Sequence, residues 1–284
     1  MANAARTDLA AEAHRLWAQA EKKDALPEGV SAREERLRGL PVTAVEIREG
    51  AGSKPLGKPP GRYFSLTLPK YAGRGSADFE RSVLALRTLI GRCLSRQPET
   101  ALVAALGNPD ITPDALGSLA AGSVLVTRHL KQRRREDFAA FSSVALCRPG
   151  VLGTSGIESA AQVQLLCRAL KPELVVVIDA LAGCEPEGLG RTVQVSDAGL
   201  APGSGVGNDR PELSRTALGT AVLSLGIPTV IDAGLFGGEA LGRMFVTPRD
   251  IDALVRDGAR VLAYALNLAL HPGLTIADVD SLAG

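Results

Sequence analysis

Apolar residues fall at Leu9, Ala13, Trp17 and Ala20, the spacing of one helix face, and Thr7 with Asp8 makes a fitting start for that helix. Residues 27–41 are polar and broken, and no regular element is predicted there. "VTAVEIRE" (42–49) then alternates like a strand and "GRYFSLTLP" (61–69) answers it across "GAGSKPLGKPP", which predicts a β-hairpin with a long arm between its strands. In 77–95, Phe79, Val83, Leu86, Ile90, Cys93 and Leu94 share a helical face, followed by an apolar strand (100–106) closed by Gly107 and Asn108. Thr112, Pro113 and Asp114 have the order of an N-cap, a proline at N1 and an acid at N2, opening another helix.

Downstream, Val144–Leu146 is a further strand and 157–170 a helix leading into "LVVVIDALAG" (174–183), an apolar strand that delivers Asp179 at its last step. "TVQVSDAG" (192–199) alternates, and the glycine-rich "APGSGVGNDRPELS" follows. "AVLSLGIPTVIDAG" supplies one bent strand or two short ones, and a long helix starts near Thr247 as cap with Pro248 in its first turn. Continuous apolar strands separated by helices predict an α/β fold: a mostly parallel or mixed central sheet with helices on both faces, plus the N-terminal hairpin arm. Ligands in such sheets gather outside the carboxyl ends of the strands. Asn108, Asp179 and Asp232 lie at or just beyond such ends, and Asp114 six residues past Asn108.

Charge narrows the function classes. The 284 residues carry 32 Lys and Arg against 31 Asp and Glu, a balance that argues against binding nucleic-acid phosphates or an anionic membrane as the main task. Lys131-Gln132-Arg133-Arg134-Arg135, beside Glu136 and Asp137, fits a solvated helix end. Cys93, Cys147, Cys167 and Cys184 stand at wide, irregular intervals without a C-x-x-C pair, as expected of core-filling thiols in a reducing compartment. The N-terminus lacks the apolar core of a signal peptide and no stretch has the length of a membrane span, so a soluble, cytoplasmic protein is expected.

A carboxylate after Val175–Ile178 is costly to bury, by several kcal/mol, unless it is paired or protonated. If the turns after strands 100–106 and 174–178 are neighbours, Asp114 and Asp179 meet, and two like charges a few ångström apart cannot both ionise. One then serves as base toward water and the other as acid toward a leaving amine, without a metal or other cofactor. A helix N-terminus favours the ionised form of Asp114 and an apolar strand the neutral form of Asp179, although coupled titrations let the roles exchange. Each residue also has a structural explanation, in the helix dipole or in loop hydrogen bonds. Asp232 in "TVIDAG" and Asp197 in "QVSDAG" share the context, and the pattern does not rank the four. His14, His129 and His271 lack zinc-ligand spacing, and Ser155 lies outside a G-x-S-x-G turn. "PGSGVGN" (202–208) has no P-loop lysine; its glycines fit the approach of an extended peptide to the backbone.

The chain resembles the germination protease family of bacterial endospores. The resemblance runs through "RTDLAAEA" (6–13), "GKPPGRY" (57–63), "LGNPDITPDALG" (106–117), "VTRHL" (126–130), "RPGVLGTSGIES" (148–159), "VVVIDALA" (175–182), "PGSGVGNDR" (202–210), "LGIPTVIDA" (225–233) and "MFVTPRDID" (244–252), in order and across nearly the whole chain. It implies an aspartic-type endopeptidase that degrades small acid-soluble spore proteins at germination, works in the spore core as a homotetramer, and has a fold similar to hydrogenase-maturation proteases. Asp114 and Asp179 occupy the positions of the family's essential carboxylates. Asn108, Gly203, Ser204, Gly205, Gly207 and Asn208 are the candidate substrate-binding residues.

The resemblance also implies a zymogen that cuts itself at a Thr-Glu/Asp site before an apolar residue. Thr7-Asp8-Leu9-Ala10-Ala11-Glu12 fits, so cleavage is expected between Asp8 and Leu9, with residues 1–8 a short propeptide and 9–284 one α/β catalytic domain. Two departures stand out. Five residues precede Arg6, fewer than the family's prosegment, and only "AGLFGGEALGR" separates Asp232 from Met244, where relatives carry a long insertion. Two alternatives compete: a metal-assisted maturation endopeptidase on the same fold, with Asp114 and Asp179 as ligands, and a non-catalytic binder of small basic or DNA-associated proteins.

Overall fold

Strands that alternate and strands that are apolar throughout meet in one sheet. A computed structural model describes residues 7–21, 26–49, 53–70, 72–207, 210–237, 241–242 and 244–283. Its strands are β1 (Val30–Leu37), β2 (Leu40–Ile47), β3 (Gly61–Thr67), β4 (Thr100–Ala105), β5 (Ser143–Cys147), β6 (Leu174–Gly183), β7 (Thr192–Ser196), β8 (Ala221–Asp232) and β9 (Phe245–Val246). They lie in the order β1-β2-β3-β7-β8-β6-β4-β5, with β9 on the end of β8. The sheet is mixed. β8, β6, β4 and β5 run parallel, whereas β1, β2, β3, β7 and β8 pair antiparallel.

The predicted hairpin is β2 with β3, and its arm spans residues 48–60. The stretch read as broken contains β1, "VSAREERL", an edge strand whose side chains are mostly exposed. Its ladder to β2 and a tight turn with Arg38 and Gly39 at positive φ hold it, so no apolar alternation is required. "AVLSLGIPTVID" is one strand, bent where the register against β6 skips Thr229, between Leu181↔Pro228 and Ala182↔Val230.

Helices cover both faces. Ala77–Cys93, capped by Ser76 Oγ accepting from Phe79 N at 3.0 Å, and Ile251–Leu270 pack with Leu116–Ala121 over Val103, Val176, Ile178, Leu225 and Ile227. Each fully buried Leu, Val or Ile there contributes about 1.5–3 kcal/mol relative to exposure. Ser159–Leu170 covers Leu102, Val175 and Val177 on the opposite face. On that same side Ala10–Glu21 packs toward Val45, Ile47 and Tyr63. The last long helix begins at Ile251 after Asp250; Thr247 instead donates to Thr229 O at 2.8 Å, so the expected Thr247 cap is replaced by a tie to the β8 bulge.

The four cysteines are free, and burial pushes Cys93 up to about 12 and Cys147 up to about 11, thiols suited to filling space. Among the described residues no helix is long and apolar enough to cross a membrane.

Candidate active site

β6 does not stop at Asp179. It runs on to Gly183, but its neighbour β4 gives out at Ala105↔Ile178, so from Asp179 onward β6 is paired only with β8. Asp179 is therefore the first residue of a one-sided edge. Thr112–Asp114 forms a single 3₁₀ turn after Ile111, with no side-chain cap, and Leu116–Ala121 starts beyond it. The expected Thr112 N-cap is thus absent. The turn instead bends Asp114 back so that its Oδ2 accepts from Asn108 N at 2.8 Å. Gly107, at φ +94, makes this possible: a Cβ there would lie 1.9 Å from the Asp114 carbonyl oxygen.

Asp114 and Asp179 line one cavity of about 590 Å³ together with Asn108, Gly203 and Asp8. Asp179 is 5% exposed, and its Oδ1 accepts from Ala180 N at 3.0 Å. Among the described residues no ion pair reaches it. Burial first, then the charges of Asp114 and Asp8, hold its carboxyl well above the ordinary carboxylate range. Burial also raises Asp114, offset by the Asn108 N–H. Two acids of unequal burial share one wall, and the deeper one retains its proton more strongly.

Along the free edge of β6 lies the chain's own Thr7–Leu9. Asp8 N donates to Ala182 O at 2.8 Å, while the Asp8 carboxylate accepts from Ala182 N at 2.8 Å and from Ser204 Oγ at 2.7 Å. Gly205 closes the cradle from the other side, where a Cβ would lie 2.4 Å from Asp8 Oδ2. Lys58 Nζ donates to Thr7 O at 2.8 Å, and Gln194 Nε2 to Asp8 O at 3.1 Å. Burial lowers the pKa of Lys58, against the raising influence of Asp8 and Glu12. Leu9 is 1% exposed, and Glu12, equally buried, accepts from Cys184 N at 2.7 Å.

The remaining candidates separate. Asp197 follows an antiparallel strand, so the topology carries it to the opposite rim, where its carboxylate receives Arg62 N and Arg62 Nε, both at 2.7 Å. Asp232 accepts from Gly234 N at 2.7 Å within its own loop. In the glycine-rich loop Gly203 and Gly207 take positive φ, 72° and 73°, around the turn that presents Ser204. Asn208 lies outside the described residues. Ser155 donates to Val151 O and Ile157 O in its own turn. The sequence points to Glu12 only as the last residue of the Thr7–Glu12 cleavage site, and not to Lys58 or Gln194 individually. Lys58 does sit in the "GKPPGRY" block, and Gln194 is a polar residue between Val193 and Val195, which face the core. Among the described residues no group of three or more His, Cys, Asp or Glu is arranged to hold a metal.

A model of the germination protease family matches residues 6–242. Similar proteins include the germination protease of Caldanaerobacter subterraneus subsp. tengcongensis, 35% identical over 98% of this chain and 97% of its own length, and that of Clostridium perfringens, 33% identical over 97% and 98%. The Bacillus cereus germination protease is 39% identical over 80% of this chain and 63% of its own. Among solved structures, the NiFe hydrogenase maturation protease HycI of Thermococcus kodakarensis KOD1 aligns with 64% of this chain and 98% of its own at 19% identity and a TM-score of 0.39. The class is that of a peptidase. The chain belongs to the germination protease family and is a protease of spore germination.

Proposed function

We propose that the protein is an aspartic-type endopeptidase in which Asp114 and Asp179 jointly hydrolyse a peptide bond. The observation that carries the reading is the shared cavity: Asp179, buried and without an ion pair among the described residues, lines it with Asp114 and the chain's own Asp8. Asp114, the less buried acid, takes a proton from water as that water's oxygen bonds to the carbonyl carbon. Asp179, protonated at the outset, gives its proton to the departing nitrogen.

Residues 1–8 are a propeptide in this reading and 9–284 the catalytic domain, with self-cleavage between Asp8 and Leu9. Support comes from the lodging of Asp8 beside Asp179. Substrates are small acid-soluble spore proteins in the spore core, cut where an acidic side chain fits the cradle of Ala182, Ser204 and Gly205. The exposed apolar group Leu235, Phe236, Met244, Phe245 and Val246 supports subunit contacts in a homotetramer, which analytical ultracentrifugation would test.

The deciding experiment incubates a purified small acid-soluble spore protein with the wild type and with Asp114→Asn and Asp179→Asn, with and without a chelator. Cleavage by the wild type alone, unaffected by chelation, is expected. Loss of cleavage on chelation would replace the dyad with a metal-assisted reaction, and an intact substrate throughout would leave a binding protein.

A further inference from the structure

Three residues on neighbouring strands stand in one row across the sheet. Gly226 of β8 pairs with Asp179 of β6 on one side and with Gln194 of β7 on the other. Residues in register point to the same face. Val193, Val195, Ile178 and Leu225 all pack into the core beneath the Ile251–Leu270 helix, so Gln194, Asp179 and Gly226 belong to the opposite face, where Ala10–Glu21 lies. The Leu181 side chain folds over Gly226, its Cγ 2.6 Å from where a Cβ would lie, so the two polar side chains stand on either side of Leu181, two strand spacings of about 4.8 Å apart. A cavity of about 250 Å³ lies over this row, lined by Asp8, Lys58, Asp179, Leu181, Gln194 and Gly226.

Gln194 spans the Asp8–Leu9 bond. Its Oε1 accepts from Ala10 N at 2.8 Å, which leaves Nε2 to donate to the Asp8 carbonyl oxygen at 3.1 Å. Gln194 is 8% exposed, so its amide acts where water competes little. We infer that Gln194 is a third catalytic residue, whose Nε2 holds the carbonyl oxygen of the bond being cut while Asp179 works from the far side of Gly226. This rests on the peptidase reading and adds an electrophilic partner to it. As the water oxygen bonds to the Asp8 carbonyl carbon and the carbon–nitrogen bond to Leu9 breaks, negative charge gathers transiently on the Asp8 oxygen. Gln194 stabilises that charge through a hydrogen bond and transfers no proton. Lys58, on Thr7 O, and the cradle around the Asp8 carboxylate hold the residue on either side of the same carbonyl.

Self-cleavage of the full chain is the test, because the segment is already held on Gln194 and Ala182 and its first-order rate reports chemistry rather than capture. Mass spectrometry would follow the product beginning at Leu9 for the wild type, Asp179→Asn, Gln194→Met and Gln194→Glu. Gln194→Met removes donor and acceptor. Gln194→Glu keeps an acceptor for Ala10 N, so a merely anchoring role survives in it, and it remains informative if Gln194→Met does not fold. Both folded Gln194 variants are expected to cut about 100-fold more slowly or worse, the usual loss of an oxyanion donor. In Gln194→Glu the rate is expected to recover partly as the pH falls and the new acid regains a proton to donate. A folded Gln194 variant cutting within about threefold of the wild type, while Asp179→Asn is inert, would overturn the inference and leave the dyad standing. A wild type that does not cut itself, or cuts at another bond, would overturn it as well; the dyad reading falls only if Asp114→Asn and Asp179→Asn leave cleavage of a separate spore protein intact.

Discussion

Asp179 and Asp197 occupy similar words of sequence, "VVIDA" and "QVSDA", and opposite situations in the molecule. Asp197 leaves an antiparallel strand on one rim and has both carboxylate oxygens occupied by Arg62. Asp179 sits on the other rim, buried, with Ala180 N on one oxygen and the charges of Asp114 and Asp8 acting on it. The polarity of the strand decides which rim an aspartate reaches, and the partner waiting there decides whether it is a fixed charge or a proton reservoir. A buried acid kept among acids destabilises the fold locally, and that strain is the mark of a reactive site.

The largest effect that would sharpen the contrast is on turnover. Asp179→Asn, and separately Asp114→Asn, should lower kcat by about 10²–10⁴-fold on a peptide carrying the Thr7–Glu12 sequence, whereas Asp197→Asn should leave kcat near the wild-type value. Equal losses at Asp197 would break the comparison. Next in size, Gly205→Ala places a Cβ 2.4 Å from Asp8 Oδ2, and the Asp8 segment should be expelled from its cradle. Slower self-cleavage, by about tenfold, and earlier proteolytic nicking near Thr7 would report it.

The two aspartates should also differ in stability. Asp197→Asn removes a charge from a half-exposed ion pair and should cost about 1 kcal/mol in urea denaturation. Asp179→Asn should do the reverse. With its folded-state pKa raised, Asp179 contributes stability that is complete below the unfolded carboxylate pKa and is lost as pH rises through the folded value. The Asn variant should therefore melt above the wild type on the alkaline side of that range and lose the advantage in acid.

The smallest effect concerns the pH profile. In the proposed mechanism the acid form of Asp179 is the active one, so the alkaline limb of the rate should follow its titration. Burial and Asp114 raise that pKa most, and Asp8 adds to them; Asp8→Asn should move the alkaline limb toward lower pH. A limb that stays in place would dissociate Asp8 from the proposed pair of acids.

Much of this was legible in the chain. Apolar runs gave away β4, β6 and β8, and the rule that ligands collect beyond strand ends led to Asp114 and Asp179. β1 escaped because "VSAREERL" is an edge strand with little to bury, stabilised by backbone pairing that leaves no hydrophobic trace. The Thr112 cap and the end of β6 at Asp179 were misread for a related reason. Local patterns describe which side of an element faces the core, while the turn at Asp114 and the four extra residues of β6 answer to partners distant in sequence. Gln194 is the clearest case. Its position opposite Asp179 depends on the register of three strands, and register is set by the assembled sheet.

The one-sided edge of β6 has a consequence for what the protein accepts. On the chain's own segment the groups engaged there are Asp8 N, taken by Ala182 of that edge, and the carbonyls of Thr7 and Asp8, taken by Lys58 and Gln194 beside it. Inside an α-helix or a paired strand those same groups are already committed to neighbours of their own. A compact guest that follows the proposed Thr7–Leu9 path must therefore unravel locally before it is cut, its digestion paced by its own opening fluctuations, while a loose chain would be consumed at the speed of the chemistry.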